Sequence, residues 1–298
     1  MSFASGLGRW LGCAEVYAGD GRFLGNAIDQ RNVQDLGDGR TRIDLAFIGP
    51  IKAAGHYFIQ THENHRDYLG PLNVGYAETL GTHTVDANAY WSSMGLNQRL
   101  FLHVMPDHNL QLSLALMSRG DQLMYVIVGE NQRVDAQAAA TTPLPNLIGG
   151  TEHDLRDDPR AGRDCLLLHR SGSWQGELVT FDADRNPLGS HTYSEQNSAT
   201  PTGLSSTLTG CAFAAGEHAI ALRSNGWQAW SEPGDVAGSY NLSGGRALSG
   251  QFIFQASHTR LWRREVASGD GSCKAVLHTW YRGGQRIGAA VGVLRYAP

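Results

Sequence analysis

The sequence predicts an all-β protein built from two tandem antiparallel β-barrels that pack as one unit. Three observations lead to this prediction. Short segments alternate apolar and polar residues with a period of two, recur every ~8–15 residues, and have no long amphipathic helix between them. The chain has 37 glycines in 298 residues, above the usual ~7%, which is typical of short strands joined by tight turns. A segment near the start of the chain also recurs in its second half, as expected of a duplicated fold.

The repeat is centred on an opening hairpin. Residues 8–28 contain a strand-like run, an Asp20-Gly21 pair typical of a type I′ turn, and a second strand-like run. A single shift without gaps superposes six residues of this segment on identical residues in the second half. The pairs are Gly8 and Gly172, Trp10 and Trp174, Gly12 and Gly176, Asp20 and Asp184, Leu24 and Leu188, and Gly25 and Gly189. We interpret this pattern as an internal duplication.

The remaining strands follow the hairpin in each half. Period-two segments at 40–49, 55–62, 97–105, 109–117 and 122–129 predict strands of the first half, and those at 177–183, 218–224, 250–257, 275–283 and 286–296 predict strands of the second. Between the halves lies a stretch rich in alanine, proline and glycine, followed by a dense charge run, as in connectors. We therefore predict an N-terminal barrel carrying the site over residues 1–138, a connector over 139–164, and a structural or lid-like C-terminal barrel over 165–298.

The overall composition excludes several classes of function. The chain has 24 basic and 28 acidic residues and a net charge of −4, which does not attract nucleic acid or acidic membranes. It has no run of 18 apolar residues and no signal-peptide pattern at its start. We therefore expect a cytoplasmic protein without a nucleic-acid or membrane partner. Exposed barrel edges and the tryptophans of the second half are compatible with a homodimer.

The Gly-x-Trp-x-Gly triplets at residues 8–12 and 172–176, each followed by a hairpin and a meander of about eight strands, resemble the lipocalin-like, or calycin, barrels. The resemblance covers about twenty residues in each half and beyond them rests on architecture. It implies a small hydrophobic ligand in the barrel lumen. Intracellular members that are enzymes tend to be cofactor-free lyases, decarboxylases, cyclases or isomerases, and tandem barrels of this kind occur.

Residues 56–91 carry the densest set of polar side chains, with histidines, acids, asparagines and tyrosines between strand-like segments. If the polar faces of these strands turn inward, the lumen gains groups that exchange protons and stabilise an anion. A half-exposed strand would show the same pattern. The predicted catalytic residues are His56 or His62 as base, Tyr90 as acid with Tyr68 as its alternative, Asn88 as orienting group, and Glu78 or Asp86 as the carboxylate that tunes the base. The predicted substrate-binding residues are Gln60, Tyr68, Asp86, Trp91, Arg99 and His103.

These residues favour a cofactor-independent lyase or isomerase that acts on a small aromatic or polycyclic molecule by acid/base catalysis. Decarboxylation, retro-aldol fragment loss and cyclisation all remain open. No GxGxxG, Walker A or GxSxG motif is present, so no nucleotide cofactor and no serine nucleophile are expected. No metal is expected either, because His56 and His62 would lie ~20 Å apart along a strand, and the His-x-x-His of His62 and His65 falls in a predicted turn. The alternatives are a non-catalytic carrier or chaperone for a hydrophobic ligand or pigment, and an interaction module.

Overall fold

The computed structural model describes residues 4–63, 65–135 and 167–298. The chain divides into two compact units, residues 1–161 and 162–298, and each unit forms one closed antiparallel barrel. The predicted connector over 139–164 lies outside the described residues. Within the described residues, helical structure is limited to short 3-10 turns at Ala4–Gly6 and Leu167–His169, and no helix has the length and hydropathy to cross a membrane. The all-β, tandem-barrel prediction is confirmed.

The first barrel is a ten-stranded meander in which each strand pairs with the next. Its strands are β1 (Gly8–Ala18), β2 (Phe23–Gly37), β3 (Arg40–Ile48), β4 (Lys52–Thr61), β5 (His65–Pro71), β6 (Asn73–Leu80), β7 (Thr84–Trp91), β8 (Leu96–Val104), β9 (Leu110–Arg119) and β10 (Gln122–Val134). β1 closes the barrel by pairing with β10 from Arg9 opposite Val134 to Ala18 opposite Tyr125. Closure leaves no unpaired sheet edge.

The second barrel has the same topology. Its strands are β11 (Gly172–Asp182), β12 (Pro187–Thr200), β13 (Gly203–Thr209), β14 (His218–Ser224), β15 (Gln228–Ser231), β16 (Val236–Ser243), β17 (Ala247–Phe254), β18 (Thr259–Ala267), β19 (Cys273–Arg282) and β20 (Gln285–Ala297). Each barrel thus has ten strands and not the eight or so that the resemblance implied. The extra strands arise partly from the polar residues 65–91, which form three strands of their own.

The internal duplication is visible in backbone geometry. β1 carries a bulge between Val16 and Tyr17, and β11 carries one between Thr180 and Phe181, which is the equivalent position under the shift that superposes the two hairpins. The glycines of the repeat also match, because Gly25 and its counterpart have φ angles of 136° and 115°, which side chains other than hydrogen rarely tolerate. Bulges at equivalent positions in the two hairpins support the internal duplication inferred from the sequence.

The Asp20-Gly21 turn differs from its predicted type. A type I′ turn requires positive φ at both central residues, but only Gly21, with a φ of 87°, adopts it. The connection spans four residues, and the Asp20 carboxylate accepts a hydrogen bond from the Arg22 backbone N–H at 3.2 Å. The hairpin prediction is therefore confirmed, while the turn type is wrong because the aspartate stabilises the loop through its side chain.

The interiors of the two barrels are filled differently. In the second barrel one apolar cluster, which includes Trp174 and Trp280, occupies the lumen. In the first barrel the apolar side chains form separate groups, one around Trp10 and Ile59 and another around Trp91 and Met117. Space remains between the groups of the first barrel.

Candidate functional site

A cavity of about 70 Å³ lies inside the first barrel. Its wall is mostly apolar, as in small-molecule sites, with a few polar groups at fixed places. The apolar wall consists of Leu45, Phe47, Ile51, Ala53, Trp91, Met94, Leu100, Ala115, Met117 and Ile127. The polar groups are Asp29, Arg31, Lys52, Tyr57, Tyr68, Gln98 and Ser113. Lys52 is exposed, and it lies with Ile51 beside the turn between β3 and β4, so this turn lies at the mouth of the cavity.

A second cavity of about 60 Å³ adjoins the first along the lumen. Arg31, Tyr57, Tyr68 and Leu100 line both cavities. These four side chains therefore form a layer across the barrel that separates the two spaces. The polar chemistry of the lumen is concentrated in this layer.

Arg31 of this layer forms an ion pair with the buried Asp29. The guanidinium donates from Nε to Asp29 Oδ1 at 3.0 Å and from Nη2 to the other carboxylate oxygen. Burial alone would lower the pKa of Arg31, but the Asp29 carboxylate raises it above its ordinary value. Opposite charges this close neutralise one another, so the pair adds hydrogen-bonding capacity to the cavity without net charge.

Tyr57 and Tyr68 present phenol groups to the cavities, with their ring centroids 5.6 Å apart. Burial raises the pKa of Tyr57 to about 12 and raises the pKa of Tyr68 further. Both phenols are therefore neutral at physiological pH. Neither hydroxyl forms a hydrogen bond to another residue in the described part of the chain. Both side chains line the cavities, so each hydroxyl is a donor available to a ligand.

Of the predicted substrate-binding residues, Tyr68 and Trp91 lie at the cavity. β4 is oriented opposite to the expectation, because Tyr57, Ile59 and Thr61 line the lumen. Since side chains alternate along a strand, the face that carries His56, Gln60 and His62 is the outer one. The expectation that this polar face turns inward is wrong, since it faces solvent.

The polar face of β7 is also an outer face. Val85 and Trp91 line the lumen, and Ala87 and Ala89 pack with the inner apolar cluster. On the outside, Arg99 donates from Nη1 to Asn88 Oδ1 at 3.0 Å, and its Nε lies 3.4 Å from the buried Asp86 carboxylate. Tyr90 is 43% exposed. The structure brings Asp86, Asn88 and Arg99 together, but on the outer face of the barrel, where they do not line the cavity.

The last two predicted site residues are also outside the lumen wall. Glu78 lies on the outer face of β6, opposite Asp86 in the β6–β7 register. His103 is buried, and its Nδ1 lies 2.9 Å from the Thr84 hydroxyl. Burial lowers the pKa of His103 to about 3, so it stays neutral. His103 lies away from the cavity, and its contact with Thr84 serves the packing of the barrel wall.

A buried ionic network that the sequence did not predict lies in the lumen of the second barrel. Lys274 Nζ donates to Glu195 at 2.8 Å and to Glu265 at 2.7 Å, and Arg263 donates to the same two carboxylates at 2.5 and 2.6 Å. His278 Nε2 lies 3.1 Å from Glu265. Charged residues two apart in apolar strands, such as Arg263 and Glu265, are the signal that could have revealed it. The adjoining cavity is only about 10 Å³, so the network and the apolar side chains around it leave almost no free space there.

Two groups among the described residues have the composition and proximity of metal ligands. One combines Glu195, Glu265 and His278, but Lys274 and Arg263 already hold its carboxylates, which leaves no place for another cation. The other combines His62, His65 and Asp67 on the outer surface.

The comparisons with known proteins bear on the fold. No family model matches the chain, and no curated protein matches it. A solved structure of a protein of unknown function from the DUF3598 family of Nostoc punctiforme is similar over 99% of this chain and 97% of its own, with 13% identity and a TM-score of 0.60. An S-type phycobiliprotein lyase from Guillardia theta covers 45% of this chain and 91% of its own, with 8% identity and a TM-score of 0.35. The chain therefore shares the tandem β-barrel fold of the DUF3598 structure.

Proposed function

We propose that the first barrel binds a small, uncharged, mainly apolar molecule that carries one carbonyl or hydroxyl oxygen. The observation that supports this most is the pair of phenol groups of Tyr57 and Tyr68, which line a mainly apolar cavity and whose hydroxyls lack partners among the described residues. An oxygen acceptor on the ligand satisfies such donors. The neutralised Arg31–Asp29 pair disfavours a ligand with a buried net charge.

The cavity also limits the size of the ligand. Drug-sized ligands occupy pockets of ~300–1,000 Å³, and benzene enters an engineered cavity of ~150 Å³. A space of about 70 Å³ is about half of that volume, so the ligand is a short chain or at most one ring, and a ring requires the wall side chains to shift. Polycyclic compounds and extended pigments are disfavoured unless the layer formed by Arg31, Tyr57, Tyr68 and Leu100 moves.

Binding without turnover has better support than lyase or isomerase activity. Acid/base catalysis needs a group that exchanges protons near neutral pH, and the raised pKa values of Tyr57 and Tyr68 remove these phenols from that range. No histidine is among the described residues that line the two cavities. The carrier alternative therefore becomes the leading function, and cofactor-free catalysis becomes the second.

The test uses acetophenone, a single ring with a carbonyl, and ethylbenzene, a similar shape without the oxygen. Ligand-observed NMR measures the affinity of the full chain for each probe. We expect acetophenone to bind more tightly than ethylbenzene, and Tyr68→Phe to weaken acetophenone binding by about 3–10-fold, the value of one hydrogen bond. Ethylbenzene binding should not change in that variant.

Two further variants distinguish probe binding in the cavity from probe binding on the outer surface. Tyr76→Phe is the matched control, because Tyr76 is 48% exposed on the outside, and it should bind like the wild type. Ala53→Phe should weaken both probes, since it adds a ring to the cavity wall. Failure of both probes to bind the wild type, or equal binding by Ala53→Phe, would refute the proposal. Chemical alteration of the recovered acetophenone would support the enzyme alternative.

A further inference from the structure

A group of metal-ligating side chains lies at the hairpin that joins β4 to β5, away from the cavity. Nε2 of His62 lies 3.0 Å from Asp67 Oδ2, and Nε2 of His65 lies 3.9 Å from Asp67 Oδ1. One ligand atom from each of the three residues falls within 4.8 Å of the others. The group therefore contains two imidazole nitrogens and one carboxylate oxygen around a common point.

The backbone of the hairpin holds these three residues together. The His62 backbone N–H donates to the His65 carbonyl at 2.9 Å, and Thr61 lies opposite Arg66 in the strand register. Because side chains alternate, His62, which directly follows β4, faces the same way as His65 and Asp67 on β5. The His-x-x-His turn, which the sequence offered as an argument against a metal, is therefore what assembles the group.

The surroundings suit a cation that arrives from solvent. The three side chains are 42–43% exposed, so an ion reaches them without opening the barrel. Glu78 lies opposite His65 in the β5–β6 register on the same face, within about one cross-strand spacing of ~5 Å. A second carboxylate therefore lies beside the group and adds negative charge.

We propose that His62, His65 and Asp67 bind a divalent transition-metal ion, for which Zn²⁺ is the test ion. Zinc takes imidazole nitrogen at ~2.0–2.1 Å and carboxylate oxygen at ~2.0–2.2 Å in a tetrahedral arrangement. The ligand atoms must then approach to ~3.3 Å, and side-chain rotation at this exposed hairpin provides the change. The two imidazole rings stack with centroids 4.5 Å apart and 14° between planes, so binding requires them to splay. Ca²⁺ and Mg²⁺ are disfavoured because they prefer oxygen ligands.

The experiment measures Zn²⁺ binding to the full chain by competition with a chromophoric chelator. We expect one site per chain, weakened at least ~10-fold in each of His62→Ala, His65→Ala and Asp67→Asn. His56→Ala is the matched control, because His56 shares the outer face of β4 but lies six residues away, and it should bind like the wild type. Far-UV circular dichroism shows whether each variant keeps the barrel, which we expect at exposed positions.

Binding of Co²⁺ provides a second readout, because a tetrahedral site with imidazole ligands gives visible absorption that a weakly bound surface ion does not. Loss of this absorption in His62→Ala and its retention in His56→Ala support the site. Equal Zn²⁺ affinity of the wild type and all three ligand variants overturns it. The Tyr68→Phe variant should bind Zn²⁺ normally, so failure of the metal site and failure of the cavity proposal are distinguishable.

Discussion

Lys274 and Glu265 form a direct ion pair in the lumen of the second barrel, with 2.7 Å between Nζ and Oε2 and with both side chains buried. Glu195 and Arg263 complete a group of two carboxylates and two cations. The Arg263 and Lys274 charges hold the pKa of Glu265 well below its ordinary value, against the effect of its burial. Charge balance is what makes this polar interior tolerable.

Removing one cation should therefore be strongly destabilising. Lys274→Met leaves two buried carboxylates with Arg263 as their remaining Lys or Arg partner, and we expect the free energy of unfolding to fall by about 3–5 kcal/mol. Guanidinium unfolding followed by tryptophan fluorescence measures the loss. The control is Arg223→Met, which breaks an exposed Arg223–Glu232 pair and should cost less than ~1 kcal/mol. A similar small loss in both variants would show that the buried network is not charge-balanced as described.

Stability should fall with acid from about pH 6.5. Burial lowers the pKa of His103 to about 3 and that of His169 to about 4. Because both folded values lie below the unfolded value of ~6.5, the unfolded chain binds more protons in this window. The free energy of unfolding should then decrease by ~1.4 kcal/mol per pH unit for each histidine as pH falls from 6.5 towards 4.

Urea unfolding between pH 6.5 and 5 measures this slope. His103→Asn keeps a polar group near the Thr84 hydroxyl but removes one titrating ring, so its slope should be shallower than that of the wild type. An unchanged slope in His103→Asn would contradict the burial of that imidazole as a neutral group.

Removing the hydroxyl of Tyr68 and removing that of Tyr240 should have different effects on the free energy of unfolding. The Tyr68 hydroxyl has no partner among the described residues, whereas the Tyr240 hydroxyl lies 2.6 Å from His169 Nε2. Tyr68→Phe should leave the free energy of unfolding of the ligand-free protein unchanged or slightly higher, and Tyr240→Phe should lower it by roughly 1 kcal/mol or more. Denaturant unfolding of both variants decides the sign. Destabilisation by Tyr68→Phe would mean that its hydroxyl is already satisfied.

Replacing Gly189, the glycine at the bulge of the second barrel, should lower the stability of the protein. Gly189 has a φ of 115° and open space where a Cβ would lie, so Gly189→Ala tests backbone strain alone and should cost about 1–3 kcal/mol. Gly234 also has open space but lacks a positive φ, so Gly234→Ala is the control and should be nearly neutral. Thermal unfolding compares the two. Equal effects would rule out backbone strain at the bulge.

Most of the fold could be predicted from the sequence. Period-two alternation located the strands, and the glycines and tryptophans that match between the halves, such as Trp10 and Trp174, identified the two barrels. Strand number was underestimated, because the resemblance implied about eight strands per barrel, whereas residues 65–91 alone form β5, β6 and β7. Closure itself depends on pairing between residues such as Arg9 and Val134, far apart in the chain and beyond the reach of local patterns.

The site was harder to predict for a physical reason. Alternation separates the two faces of a strand but does not say which face is inside. On β4 the more polar face, with His56 and His62, lies outside, and the face with Tyr57 lines the lumen. Asp29 and Arg31 escaped notice because two charged residues on one strand read as exposed, and only the closed barrel places them together inside.

The measurement that tests the central claim most directly is a crystal structure of the full chain soaked with acetophenone. We expect the probe inside the first barrel, against Trp91 and Met117, with its carbonyl oxygen within hydrogen-bond distance of the hydroxyl of Tyr57 or Tyr68. A probe found only on the outer surface beside Tyr90, or none at all at a concentration that gives an NMR binding signal, would contradict the claim.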